Sequence, residues 1–281
     1  MHENRLSRLT ERASAYGLDV VALVPGPNLF YLSGLSFHLS ERPIVALFPV
    51  DGQPAIVLPT LEAAKVEQAA VELDVFPYTD EEGYTPAFQS ACAVLELAEC
   101  MVGVEALRMR LLEEGVLERY GPGCRLVPAE EVLAELRLRK DESELESMRQ
   151  AIAIAEAALH ATVRQVRVGM TERELAALLT IEMFKSGAEE IPFPPIVVAG
   201  PDAASPHASP SKRPIGPGET IVVDFGAMVG GYISDVTRTF AIGALAPELA
   251  RVYEVVRAAN EAGRAVAGPE VPAEEVDRVA R

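Results

Sequence analysis

The sequence predicts an α+β protein of two domains, and three observations indicate this. Short apolar strands alternate with helical segments through the first half of the 281-residue chain, a pattern typical of an α/β domain with some parallel strands. Near residues 136–140 the pattern changes to longer helices. Further on, apolar residues on both sides of Val229 and Gly230 predict a β-hairpin. We therefore expect domains at residues 1–138 and 139–281, and the chain is long enough for both.

The first domain is predicted to open with an amphipathic helix. Leu6, Leu9, Ala13 and Tyr16 recur at helical spacing, and Gly17 is a stop signal. Strands are then expected at residues 19–24, 44–48, 55–58, 74–77, 102–105 and 125–127, and helices at residues 61–71, 87–98 and 111–120. This alternation gives the domain its predicted α/β character.

The second domain is predicted to begin with a long helix. Asp141 can cap it, with Glu144 placed for a capping box. The expected apolar stripe of this helix is Leu145, Met148, Ile152, Ala155, Leu159 and Val163. A second capping box, Thr171 with Glu174, opens another helix that ends near Gly187.

The remaining elements follow from the same signals. A strand is expected at residues 191–199, then the hairpin, then a helix at residues 247–267. A last helix is expected from Pro272, and its apolar positions have only begun to repeat at Arg281. We therefore expect the chain to be a fragment of a longer protein or a truncated product.

Two aspartates are predicted to face each other in the hairpin. If Val229 and Gly230 form the turn, Asp224 lies opposite Asp235, with Cβ atoms roughly 4.5–5.5 Å apart. Two charged carboxylates at about 5 Å repel by about 3 kcal/mol at an effective dielectric constant of about 20. A pair of divalent metal ions is the expected compensating charge. Thr237 shares the face of Asp235, where its hydroxyl can bond a carboxylate. The alternative is an edge hairpin with two solvated aspartates.

The charge balance excludes some classes of partner. The chain has 25 Lys and Arg against 42 Asp and Glu, a formal net charge of −17. This argues against binding to nucleic-acid phosphates or to anionic membrane surfaces, and no apolar run approaches the roughly 20 residues of a membrane span. The three cysteines match no zinc pattern and fit a reduced compartment. We expect a cytoplasmic protein without a nucleic-acid or membrane partner.

Several motifs together resemble the pita-bread metallopeptidases, the family of proline dipeptidase, aminopeptidase P, methionine aminopeptidase and creatinase. They are RKDESEL at 139–145, GMTE at 169–172, FPPIVVAG at 193–200, SPHA at 205–208, GE at 218–219, DFGA at 224–227 and GYISDVTRT at 231–239. NLFYLSG at 28–34 resembles the creatinase-type N-terminal domain, which methionine aminopeptidases usually lack. The resemblance favours the Xaa-Pro peptidases, proline dipeptidase and aminopeptidase P. It implies a creatinase-like N-terminal domain followed by an incomplete pita-bread domain.

The resemblance implies a dinuclear metal centre. In this family two Asp, one His and two Glu hold two divalent ions, Mn²⁺ or Co²⁺, with Zn²⁺ as a further option. Asp224 and Asp235 match the two Asp, whereas the other three ligands would lie beyond Arg281. On this interpretation the pita-bread domain is truncated, its metals are weakly held or absent, and the chain alone is inactive.

The resemblance also implies roles for other residues. His207 matches a histidine that lies beside the metals and assists the reaction, and Phe193 matches an aromatic residue that lines the substrate pocket. The loop at residues 36–43, with His38 and Arg42, resembles one that reaches towards the partner's active site in dimeric members. The implied substrate is a peptide with proline at its second position, and the implied assembly is a homodimer. Without the resemblance, an exposed loop residue is the simpler interpretation of His207.

Two other functions are compatible with the sequence. A non-enzymatic pita-bread protein would bind a peptide or a partner without hydrolysing it. A creatinase-type hydrolase would need no metal. Creatinase-like members lose the metal ligands, so the presence of Asp224 and Asp235 argues against that second alternative.

Overall fold

A computed structural model describes residues 2–281, with side chains from residue 4 onward. The chain divides into two compact units, one up to Asp141 and the other from Glu142 to Arg281. None of the described helices combines the length and the apolarity that a membrane span needs.

The first unit is built on a six-stranded mixed sheet. Its helices are α1 His2–Ala15, α2 Pro27–Ser33, α3 Ala63–Val66, α4 Thr85–Val94, α5 Leu111–Tyr120 and α6 Glu130–Arg137, with a 3-10 turn at Thr60–Glu62. Its strands are β1 Val20–Leu23, β2 Val45–Pro49, β3 Ala55–Pro59, β4 Asp74–Tyr78, β5 Met101–Val104 and β6 Arg125–Pro128. The order across the sheet is β4-β3-β2-β1-β5-β6. β1, β5 and β6 run parallel, as do β3 and β4, whereas β2 is antiparallel to both of its neighbours. This mixture confirms the predicted α/β domain.

Helices cover both faces of this sheet. Alternate residues of β1 belong to different cores, with Val21 and Leu23 in one and Val20 and Ala22 in the other. The first core takes residues from α1, α2 and α6, and the second from α4 and α5. All of β1 is buried, as expected for a central strand covered on both sides.

The predictions for this unit fail at three helices. The helix predicted at residues 61–71 is only a 3-10 turn followed by α3, because the amide of Ala70 donates to the carbonyl of Ser33 instead of continuing a helical ladder. Helices α2 and α6 were not predicted. The boundaries of α2 do carry ordinary signals, since Pro27 lies in its first turn and Gly34 ends it in the left-handed conformation.

The second unit combines helices with a three-stranded antiparallel sheet. Its helices are α7 Glu142–Val163, α8 Glu172–Lys185, α9 Pro247–Val266 and α10 Ala273–Ala280, with a 3-10 turn at Gly200–Ala204. Its strands are β7 Ile196–Ala199, β8 Thr220–Phe225, β9 Met228–Val229, β10 Tyr232–Ile233 and β11 Val236–Ala241. The sheet order is β11-β8-β7, and β9 pairs with β10 in a short ribbon. α9 and α10 lie where the sequence predicts them.

The predicted capping box at the start of α8 is confirmed. The hydroxyl of Thr171 accepts a hydrogen bond from the Glu174 amide at 3.2 Å, and the Glu174 carboxylate accepts one from the Thr171 amide at 2.7 Å. Leu175, Leu179 and Met183 form the buried side of α8 and share a core with the buried residues of β8. This helix therefore covers one face of the sheet.

The predicted apolar stripe of α7 is wrong in part. Ile152 and Val163 are 42% and 41% exposed. The buried residues of α7 are Glu144, Ala151, Ala155, Ala158 and Thr162. Ala155 and Ala158 share the core of α8, and Leu159 packs against it. The predicted stripe is therefore right at Ala155 and Leu159, and its errors are at Ile152 and Val163.

We expect Ala155→Leu to lower the free energy of unfolding of the second unit by about 1–3 kcal/mol, because it adds volume to a filled core. The control is Ile152→Ala, which should cost less than about 1 kcal/mol at a half-exposed position. Urea unfolding followed by circular dichroism measures both changes. A larger loss for Ile152→Ala would mean that Ile152 is buried and contributes more to the core than Ala155.

Candidate active site

The hairpin turns at two consecutive glycines. Gly230 and Gly231 have φ values of 55° and 78°, and the residues that flank them, Val229 and Tyr232, are paired. A two-residue turn of this kind needs positive φ at both central positions, which glycine adopts at little cost and a β-branched residue does not. The predicted turn at Val229 and Gly230 is therefore wrong.

The corrected turn changes which residues face each other. Thr237 lies opposite Asp224, and Val236 lies opposite Phe225, so that Asp235 comes opposite Gly226. The predicted direct pairing of Asp224 with Asp235 is wrong. The two aspartates are instead diagonal neighbours on one face, a relation that separates Cα atoms by roughly 7–8 Å in a regular sheet. At that separation the repulsion falls to about 2 kcal/mol at an effective dielectric constant of about 20.

The two aspartates have different surroundings. Asp224 is half-buried on the central strand, between Ile196 of β7 and Thr237 of β11. The Thr237 hydroxyl donates to Asp224 Oδ1 at 2.9 Å, so this threonine does bond a carboxylate. Asp235 is exposed and lies in the link between β10 and β11. The structure therefore orients one carboxylate by a hydrogen bond and leaves the other at the surface.

Gly226 allows the two strands to approach closely between the aspartates. A Cβ atom at this position would lie 2.0 Å from the carbonyl oxygen of Ser234. Ser234 is buried, and its hydroxyl accepts a hydrogen bond from the Ala227 amide at 3.0 Å. The backbone that leads into Asp235 is thus held against Gly226. Neither Gly226 nor Ser234 is a predicted site residue, although a glycine inside a strand often marks a close approach of two backbones.

Phe193 lies next to Gly226. A ring carbon of Phe193 is 3.0 Å from the position that a Cβ atom on Gly226 would occupy. The segment before β7 therefore brings an aromatic ring next to the stretch of β8 that carries Asp224. Three of the predicted site residues, Phe193, Asp224 and Asp235, converge around Gly226.

His207 lies on an exposed loop beyond the 3-10 turn at Gly200–Ala204. That turn packs against β7 and β8, so the loop leaves the sheet beside the central strand. Within residues 4–281, the His207 imidazole makes no hydrogen bond to Asp224 or Asp235. The structure places the loop at the border of the site without joining the histidine to the carboxylates.

His38 and Arg42 belong to the first unit. His38 is exposed. The Arg42 guanidinium donates to both carboxylate oxygens of Asp80, at 2.8 and 2.7 Å, and to Glu41 at 2.8 Å. These hydrogen bonds and the positive charge of Arg42 lower the pKa of Asp80. The Arg42 side chain is therefore bound within its own unit.

The donor chemistry of the aspartate pair suits a hard divalent cation. Carboxylate oxygens are the ligands such ions prefer, and the ions take about six of them or more. Within the described part of the chain, no group of three or more His, Cys, Asp or Glu side chains converges to hold an ion. Asp224 and Asp235 could thus supply part of a metal's coordination sphere.

Comparisons with known proteins agree with this interpretation. The second unit matches the model of metallopeptidase family M24 over residues 146–281, and the first matches the creatinase/prolidase N-terminal domain over residues 5–139. PepE of Mycobacterium tuberculosis, a probable dipeptidase, is 34% identical over 288 residues, which cover 100% of this chain and 74% of PepE. An Xaa-Pro dipeptidase of Pyrococcus horikoshii is 28% identical over 99% of this chain and 75% of its own length. A crystal structure of recombinant prolidase from Thermococcus sibiricus is 28% identical with a TM-score of 0.93, covering 100% of this chain and 76% of that one.

These matches are to peptidases. They argue against the non-enzymatic alternative. They also give no support to the expectation that the chain is inactive on its own.

Gly226→Ala should lower the free energy of unfolding by about 3 kcal/mol or more, because the added methyl group meets the backbone of Ser234, which cannot move aside as a side chain can. Gly115→Ala is the control, since Gly115 lies in helix α5 and, apart from its chain neighbours and the backbone of that helix, no atom lies within 4 Å of the added Cβ. That change should be neutral or stabilising by up to about 1 kcal/mol. Thermal unfolding measures both, and equal stability of the two variants would refute the close approach.

Proposed function

Because the chain belongs to metallopeptidase family M24 and carries the creatinase/prolidase N-terminal domain, we propose that it hydrolyses the peptide bond that precedes proline. The observation that supports this most directly is the carboxylate pair Asp224 and Asp235, on one face of the hairpin in the matched peptidase domain. An Xaa-Pro dipeptidase is the preferred form, because relatives over the whole chain bear that name. Activity on longer peptides with proline at the second position would make it an aminopeptidase P instead.

We propose that Asp224 and Asp235 hold divalent metal ions, Mn²⁺ or Co²⁺ before Zn²⁺. Such ions would polarise the scissile carbonyl and make water more acidic. The ligand set requires further donors beyond these two carboxylates, since a hard cation takes about six. Thr237 orients Asp224 through the 2.9 Å hydrogen bond to Oδ1.

The other residues of the site act on the peptide. His207, exposed on its loop, would donate a hydrogen bond or a proton to the oxygen that gains negative charge, a task that histidine performs near neutral pH. Phe193 offers an apolar ring beside Gly226, where it would pack against the substrate. These two groups bind and orient the peptide, and neither needs to contact the metal.

We further propose a cytoplasmic homodimer in which the loop at residues 36–43 approaches the partner's active site. His38 is exposed on this loop. Arg42 is held by Asp80 and would need to exchange that partner to reach a substrate carboxylate.

Asp224→Asn and Asp235→Asn should each abolish hydrolysis of the dipeptide Ala-Pro, because asparagine keeps the size of the side chain and loses the charge. Unaltered protein should hydrolyse Ala-Pro only with an added divalent metal, and Asp277→Asn on α10 is the exposed control. The measurement is proline release with and without Mn²⁺, together with metal content after dialysis. Full activity of Asp235→Asn would remove this residue from the proposed site.

Thr237→Val should lower metal affinity or activity by about 10–100-fold, the usual effect of losing a hydrogen bond that orients a metal ligand. Thr237→Ser keeps the hydroxyl and should retain most of the activity. Titration of each variant with Mn²⁺, followed by the rate of Ala-Pro hydrolysis, separates them. Retained activity in Thr237→Val with a loss in Thr237→Ser would mean that the methyl group of Thr237 matters and the hydroxyl does not.

His207→Ala should lower kcat by about 10²–10⁴-fold with the metal content unchanged, since a positioned acid or base contributes that much. His160→Ala, which removes an exposed histidine on α7, is the control and should have no effect. Steady-state kinetics and metal analysis give both quantities. Loss of metal from His207→Ala would identify the histidine as a ligand.

A further inference from the structure

A carboxylate is fully buried at the first residue of α8. Glu172 is 0% exposed. Its Oε1 accepts a hydrogen bond from the Ala199 amide at 2.8 Å, and its Oε2 accepts from the amide and the hydroxyl of Ser211 at 2.9 and 2.8 Å. One side chain thus binds two segments that are far apart in the sequence.

These hydrogen bonds compensate a costly burial. A carboxylate loses its hydration inside a protein and is stable there only when its oxygens are bonded. Hydrogen bonds to an ionised acceptor are about twice as strong as those between neutral groups, and the first turn of a helix favours negative charge. Glu172 meets both conditions: its oxygens accept from two backbone amides and one hydroxyl, and it lies in the first turn of α8.

The two segments are the two ends of the loop that carries His207. Ala199 is the last residue of β7, and Ser211 lies just after the loop. The Ser211 hydroxyl also accepts from the Arg213 amide at 3.0 Å, and the carbonyl of Ser211 accepts from the Arg173 amide at 3.1 Å. Both ends of residues 200–210 are therefore fixed on the start of α8, whereas His207 itself is exposed.

The loop borders the face of the sheet that carries Asp224. Ala203 lines an open cavity of about 870 Å³ together with Val222 and Thr237. Val222 and Thr237 are the neighbours of Asp224 along β8 and across to β11. Because both ends of the loop are fixed beside this cavity, the loop can hold a side chain such as His207 at a defined position next to it.

We propose that Glu172 is a positioning residue for His207, and that its buried carboxylate holds both ends of the 200–210 loop beside the Asp224 face. This inference rests on the proposed function, in which His207 assists hydrolysis. Glu172 touches neither substrate nor metal. It acts by reducing the number of conformations available to the loop.

The experiment compares Glu172→Ala and the milder Glu172→Gln with Glu174→Ala in the full chain. Glutamine keeps one acceptor oxygen and replaces the other by a donor, so it loses part of the contact set. Glu174→Ala removes the capping-box partner in the same helical turn and makes no contact with the loop. It is therefore a matched control for weakening the start of α8.

The first readout is hydrogen–deuterium exchange without metal. Exchange in peptides that cover residues 200–210 should rise at least about tenfold in Glu172→Ala, rise less in Glu172→Gln and stay unchanged in Glu174→Ala. Circular dichroism confirms that each variant is folded. If Glu172→Ala does not fold, Glu172→Gln alone decides. Equal loop exchange in Glu172→Gln and Glu174→Ala would overturn the inference.

The second readout is the kinetics of Ala-Pro hydrolysis. In Glu172→Ala, kcat should fall by about 10–100-fold with KM and metal content little changed, because a misplaced group costs about that much. Adding His207→Ala to Glu172→Ala should give the rate of His207→Ala alone, whereas independent roles would give multiplied losses and contradict the inference. If the unaltered chain hydrolyses no Xaa-Pro peptide, the proposed function is wrong, and the exchange result alone then decides whether Glu172 holds the loop.

Discussion

The consecutive glycines Gly230 and Gly231 determine where the polar side chains of the hairpin lie. Their positive φ angles fit a turn whose twist matches that of the flanking strands, and the turn fixes the pairing of β8 with β11. Asp224 is thereby placed beside Thr237. At Gly226 the absence of a side chain lets the backbone before Asp235 come close. Backbone constraints thus position the two carboxylates, and no direct contact between them is needed.

The face of β8 that carries Asp224 can bind ligands because the opposite face of the strand packs against α7 and α8 and forms the core. Ile221, Val223 and Phe225 alternate with Val222 and Asp224 and share the core of α7 and α8. α7 contributes alanines to that core, which lets a long helix lie close to its neighbour. Changes on the buried face should therefore act on stability first, and changes on the open face on the reaction.

The sequence predicts the faces of this hairpin better than its register. A register shift of one residue would turn every side chain to the opposite face. The predicted loop is 229–230 and the observed loop is 230–231, so each residue pairs with a partner two positions further along the chain. A two-residue shift leaves the hydrophobic alternation intact, so the pattern could place Asp224, Asp235 and Thr237 on one face and still pair the wrong residues. Only the conformational demand of the turn distinguishes the two registers. For α7, similarly, the hydrophobic pattern places Ala155 correctly but also selects Ile152, which is exposed, and misses the buried Ala158.

The loop that carries His207 shows where local signals no longer suffice. The capping box at the start of α8 joins residues three apart and was predicted from the sequence. Glu172, one residue past the cap, has the appearance of an ordinary first-turn acid favoured by the helix dipole. Its partners, Ala199 and Ser211, lie 27 and 39 residues further along the chain. They reach Glu172 only because the end of β7 and the segment after the 200–210 loop meet at the N-terminal end of α8. The same turn thus combines two kinds of acid: Glu174 stabilises the helix locally, and Glu172 joins the helix to the loop. For this reason substitutions at these neighbouring positions should affect different parts of the molecule.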